Sequence, residues 1–128
     1  MVIDTSAIVA IFAKEPPRAE LVEAITSVEQ RLMSAVSYYE TNIVLLLRFG
    51  AEVQGDFDLW LDESRIEIVP FTRRQAQLAR QAYRRYGKGL HAAKLNLADC
   101  AAYALATERD DTLLFVGEDF LKTDVRRH

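Results

Sequence analysis

The chain of 128 residues is 50% hydrophobic and 27% charged, with a formal net charge of -3 at pH 7. This is globular composition, which excludes a disordered or collagenous chain, and no apolar run approaches the roughly 18 residues a membrane span requires. A single cysteine, Cys100, excludes an internal disulfide, a zinc finger or a redox pair, so a reducing, cytoplasmic setting is expected for one domain covering residues 1–128.

Met1 to Ile3 reads as a short buried strand, which leaves no room for a signal peptide, and Ser6 is a suitable cap for a helix starting near Ala7. Pro16-Pro17 breaks that helix and suits the start of a second, Arg18 to about Val28, with Leu21, Val22 and Ile25 on its apolar side. Leu32 to Ala35 is a second strand pattern. Ser37-Tyr38-Tyr39-Glu40 then opens an apolar helix that Gly50 ends, and another follows from about Ala51 through Phe57, Leu59, Trp60 and Leu61. Ile66 to Pro70 alternates like a strand. Thr72 caps a basic helix ending near Tyr86, with Gly87 as its stop, and Lys88 to Leu95 reads as a loop. Asn96 to Asp99 leads into an Ala-rich helix over Cys100 to Thr107, and Thr112 to Val116 is the last strand. Strands separated by one or two helices predict an α/β fold with a mostly parallel sheet.

The charge is unevenly placed. From Thr72 to Lys94 there are seven cations, among them Arg73, Arg84, Arg85 and Lys88, and no Asp or Glu, although the chain carries 19 acids in all. A solvated helix face explains such a run, and so does a surface that binds a polyanion.

Four acids stand at similar places in the pattern. Asp4 follows the first strand, on the edge where open α/β sheets bind ligands. Capping is its ordinary role, but Thr5 and Ser6 are equally able to cap. Glu40 closes a Ser37-x-x-Glu40 capping box, and Asp99 stands three residues after the plausible cap Asn96. Glu118 and Asp119 leave the last strand side by side, so one of the two is expected to face inward. Converging carboxylates repel, and a hard divalent cation bound through oxygen relieves them. Sites of that kind serve reactions at phosphate. His91, His128 and Cys100 lack the partners that histidine or thiol catalysis needs.

These segments resemble the PIN-domain ribonucleases and, within them, the VapC-like toxins of type II toxin–antitoxin modules. The matching pieces are Met1 to Ala7, Ser37 to Glu40, Tyr83 to Gly89, Leu95 to Ala104 and Leu114 to Phe120, in the expected order over nearly the whole chain. The resemblance implies a three-layer α/β/α domain and RNA cleavage dependent on magnesium (Mg2+) or manganese (Mn2+). It implies Asp4 and Asp99 as main metal ligands, Glu40 supporting the metal or its water, and Asp119 completing the acidic set. Thr5 or Ser6 would add a hydroxyl, and Glu118 stands where many relatives carry Asn or Asp. Relatives of this kind are usually homodimers silenced by a cognate antitoxin protein. Apolar helix positions around Leu45, Leu46 and Trp60 suit such an interface.

Other readings fit less well. An aspartyl phosphatase wants a second Asp where Ser6 stands, and dinucleotide binding wants a glycine-rich turn that is missing. The strongest alternative is a catalytically inactive module of the same fold that binds RNA or protein through the basic helix.

Overall fold

The computed structural model describes residues 1–128 and places four short strands in one all-parallel sheet. They are β1 (Val2–Ile3), β2 (Leu32–Ser34), β3 (Glu67–Val69) and β4 (Leu113–Leu114), in the order β3-β2-β1-β4. Val2 pairs with Leu32 on one side and with Leu113 on the other. Two helices fill each crossover: α1 (Thr5–Phe12) and α2 (Arg18–Thr26), α3 (Ala35–Phe49) and α4 (Glu52–Glu63), then α5 (Arg73–Tyr86) and α6 (Leu97–Arg109).

Strand alternation divides the interior into two cores, because successive side chains leave a strand on opposite faces. Val2, Leu32, Val69 and Leu113 join α5 and α6 residues in a cluster of 15 buried side chains. Ile3, Met33 and Leu114 join α1 to α4 residues in a second cluster of 14. The result is the expected three-layer α/β/α arrangement. A strand covered by helices on both faces is buried on both sides, which is why Met1 to Ile3 carries no polar alternation, whereas the edge strand β3 exposes Glu67. In α6, Ala98, Ala101, Ala102, Ala104 and Ala106 are buried, so small side chains let this helix lie close against its neighbours.

Three helix starts differ from the sequence pattern, α6 beginning at Leu97 and not at Cys100. Ser34, not Ser37, caps α3, with its hydroxyl accepting the Val36 N–H at 3.2 Å. Leaving β2 at Ser34 gives that residue the extended backbone a cap requires, so Ser37 lies inside the helix and Ser37 to Glu40 is no capping box. Likewise Asp4, not Ser6, caps α1. Leu45, read as a surface position, is fully buried, and the exposed apolar row of α3 is instead Ile43, Leu46 and Leu47. Gly87 ends α5 in extended backbone and not in a left-handed turn. Glycine is required there because a Cβ would stand 2.4 Å from the Tyr83 carbonyl oxygen.

Candidate active site

From β1 through β2 to β3 the chain steps one way across the sheet, and α5 and α6 then carry it back past β1 to β4. The carboxyl ends of β1 and β4 therefore meet where the strand order reverses, the place where open α/β sheets leave a crevice. Asp4 stands at the end of β1. Its backbone N–H donates to the Leu114 carbonyl at 2.9 Å, which sets it beside the end of β4.

Asp4 does two things with two oxygens. Oδ2 accepts the Ser6 N–H at 2.9 Å and the Ser6 hydroxyl at 2.6 Å, while Oδ1 is buried without any protein partner. Only 3% of this residue is exposed. A buried carboxylate oxygen left unpaired is costly, and such orphans in native proteins ask for a missing ligand. Burial accordingly pushes the Asp4 carboxyl above the usual carboxylate range; the two Ser6 hydrogen bonds pull it down and Glu40 pushes it further up.

Asp99 repeats the arrangement on another helix. It is the third residue of α6, where its Oδ2 accepts the Asn96 N–H at 2.8 Å and its own N–H donates to Asn96 Oδ1 at 2.8 Å. The predicted relation to Asn96 is thus a full capping box, which fixes one oxygen and leaves Oδ1 without a protein partner. Burial raises the Asp99 carboxyl to about 6; the Asn96 amide lowers it, while Asp4 and Asp119 raise it. Glu40, in the second turn of α3, is raised by burial and by Asp99, against the lowering effect of Thr5 and Asn96. Asp4, Glu40 and Asp99 line one open cleft of about 280 Å³ and repel one another in turn.

The hydroxyls mostly position. Ser6 Oγ donates to Asp4 and accepts the Val116 N–H at 3.0 Å, tying the tip of β1 to the segment after β4. Thr5 donates to the Ser37 carbonyl and accepts from Thr41, both at 3.2 Å, which docks α1 on α3. Glu118 and Asp119 are exposed and lie outside the residues lining the cleft. Asp119 is the one of the two whose charge reaches Asp99.

The basic run divides. Gln75, near the start of α5, donates to Glu108 near the end of α6 at 2.8 Å, so the two helices run antiparallel. Arg73 therefore lies about 20 Å from the Asp99 end, one helix length away. Arg84 and Lys88 sit at the α5 end nearer the cleft, exposed and without an acidic partner. Arg85 is engaged with Asp124 at 2.9 Å and with the Tyr86 hydroxyl at 2.7 Å. Two cleft residues carry no sequence signal, Glu15 after α1 and Arg48 in the last turn of α3. His91 Nδ1 accepts the Ala93 N–H at 3.0 Å, and burial raises the Cys100 thiol to about 11, so neither enters the chemistry.

No three His, Cys, Asp or Glu side chains close into a ready-made coordination shell. The donor set nevertheless fits a hard cation: unpartnered carboxylate oxygens on Asp4 and Asp99, a third carboxylate on Glu40, and a cleft in which these three acids are held above their ordinary range.

Known proteins resemble this chain in sequence and in fold. The PIN domain family model matches residues 1–126. A protein named Ribonuclease VapC from Mycolicibacterium smegmatis is 52% identical over 126 residues, which cover 98% of this chain and 97% of that one. Among solved structures, Mycobacterium tuberculosis VapC20, described as a sarcin-ricin loop cleaving toxin, superimposes with a TM-score of 0.80 at 15% identity, covering 99% of this chain and 97% of its own. A chain of a toxin–antitoxin complex from Klebsiella pneumoniae gives 0.71 at 18% identity, covering 96% and 92%. At those identities the two structures speak for the fold alone.

Proposed function

The chain belongs to the PIN domain family and to its VapC ribonucleases, and from that membership we propose that residues 1–128 form one endoribonuclease domain. It hydrolyses RNA phosphodiester bonds as the toxin of a type II toxin–antitoxin module, using a divalent cation, magnesium or manganese. The single observation that carries the metal-dependent reading is the buried, unpartnered Oδ1 of Asp4 in a cleft shared with Glu40 and Asp99.

Asp4 and Asp99 would hold the cation, since each keeps one carboxylate oxygen free while its Oδ2 is engaged by an amide of its own helix start. When bound, the cation supplies charge against the phosphodiester and acidifies water. Glu40, raised by burial, supports that site and takes a proton from the attacking water. Ser6 holds the Asp4 rotamer, Asn96 holds Asp99, and Asp119 adds negative charge at the rim. Arg84 and Lys88 steer the RNA backbone. Exposed Ile43, Leu46 and Leu47 on α3 form the contact of a homodimer, and a cognate antitoxin silences the enzyme, a partner of the kind that the Klebsiella pneumoniae complex contains. The setting is the cytoplasm, and no helix is long and apolar enough to cross a membrane. Nothing favours the inactive-module alternative, because a scaffold gains nothing from three mutually repelling acids in one cleft.

The test is cleavage of single-stranded and stem-loop RNA with magnesium, with manganese and with chelator. Metal-dependent cutting that Asp99→Asn abolishes while the circular dichroism spectrum is kept is the expected result. Undiminished cutting by Asp99→Asn overturns the assignment, and cutting in excess chelator overturns the metal.

A further inference from the structure

An acidic cleft that receives a polyanion needs positive charge of its own, and among the residues lining this cleft Arg48 is the single cation. It stands eight residues after Glu40 on α3, so helix geometry puts the two on roughly one side, about 12 Å apart along the axis. Asp4, Glu40 and Asp99 thus occupy one end of the groove between α1 and α3, and the guanidinium, with Glu15, the other.

Arg48 is barely held where it is. Its only ion-pair partner is Glu15, at 3.9 Å, with the two side chains 51% and 40% exposed. An open pair at that separation contributes little and includes no hydrogen bond here. A phosphate oxygen is a far better partner, because the planar fork of Arg matches it with two parallel hydrogen bonds. Other cations are poorly placed to hold the strand inside the groove, since Arg84 and Lys88 lie outside the cleft lining, Arg85 is bound to Asp124 and Arg73 is about a helix length from Asp99.

Resting on the ribonuclease reading, we infer that Arg48 anchors an RNA phosphate flanking the one that is cut, and that Glu15 stands in for that phosphate in the free protein. RNA binding exchanges the Arg48–Glu15 contact for an Arg48–phosphate contact. Arg48 is a positioning residue: it sets the register of the strand along the groove and leaves the chemistry to the acids. Glu15 then acts against binding, by competition and by charge.

The experiment measures fluorescence anisotropy of a short labelled single-stranded RNA in magnesium, in the non-cleaving Asp99→Asn background. Arg48→Ala is expected to raise Kd about tenfold and to reduce the salt slope by about one. Arg48→Lys is expected to recover part of the loss. Glu15→Gln is expected to lower Kd, whereas Glu29→Gln, which removes the same charge at the opposite end of the sheet, leaves it unchanged. In the cleaving protein Arg48→Ala raises KM more than it lowers kcat. A purely structural latch predicts that Arg48→Ala and Glu15→Gln both lower Tm with no change in Kd, and that outcome overturns the inference. If the wild-type chain cuts no RNA, the ribonuclease reading fails; if it cuts and Arg48→Ala binds as well as its parent, this inference alone fails.

Discussion

The two ends of the sheet treat their acids in opposite ways. At the amino end Asp111 pairs with the Met1 ammonium, and elsewhere outside the cleft Asp124 accepts from Arg85 at 2.9 Å and from the Tyr103 hydroxyl at 2.5 Å. Both carboxyls are lowered. For Asp124 the leading cause is the Tyr103 hydrogen bond; for Asp111 burial is the largest single influence and acts upward, but the ammonium and the Thr112 amide together outweigh it. At the carboxyl end Asp4, Glu40 and Asp99 have no cationic partner within ion-pair range and are all raised, burial being the first cause. Paired acids hold the fold together, and unpaired buried acids store a cost that only a ligand repays.

The contrast breaks most sharply by exchanging roles. Asp4→Asn and Asp99→Asn each remove a ligand charge worth several kcal/mol, so RNA cleavage falls by at least about 10³-fold in a gel assay. Asp124→Asn removes the partner of Arg85 and Tyr103; it is expected to cost about 1–2 kcal/mol in urea unfolding and to leave the cleavage rate near that of the parent.

Smaller effects come from titration. For the raised acids, stability is fully present below their unfolded values near 4 and is lost as pH climbs through the folded value, about 6 for Asp99. For Asp111 and Asp124 the sign reverses: their contribution is present above the unfolded value and is lost as pH falls through the lowered folded one. Metal-free protein should therefore melt higher near about pH 5 than near about pH 7.5, and lower again below about pH 4. Metal binding runs the other way, strengthening through about pH 6 as Asp99 ionises. The smallest effect is a gain: Asp99→Asn keeps the capping acceptor and deletes the buried charge, so apo Tm at neutral pH should rise by a few degrees, on the order of 1 kcal/mol. A calorimetric scan showing no gain would mean that Asp99 is better solvated than its surroundings allow.

Much of this was legible in the residues. Strands separated by one or two helices predicted the parallel sheet, the family resemblance implied its layering, and acids at a strand tip and a helix start predicted where Asp4 and Asp99 meet. Local pattern failed where tertiary packing decides. Ser37 and Glu40 have capping-box spacing, but the chain turns at Ser34, and only the length of β2 reveals that. Leu45 and Leu46 are equivalent letters in a sequence, yet a rotation of about 100° around α3 buries one and exposes the other. Arg48 and Glu15 lie far apart in the chain and become neighbours only because α1 packs on α3, while Arg85 looked available until the C-terminal segment brought Asp124 to it.

The most direct measurement is the thermal shift produced by magnesium or manganese on the wild type, Asp4→Asn and Asp124→Asn. Unpaired acids sharing one ion predict a concentration-dependent rise in Tm for the wild type and for Asp124→Asn, and none for Asp4→Asn. An equal rise in all three proteins, or no rise in any, would contradict it.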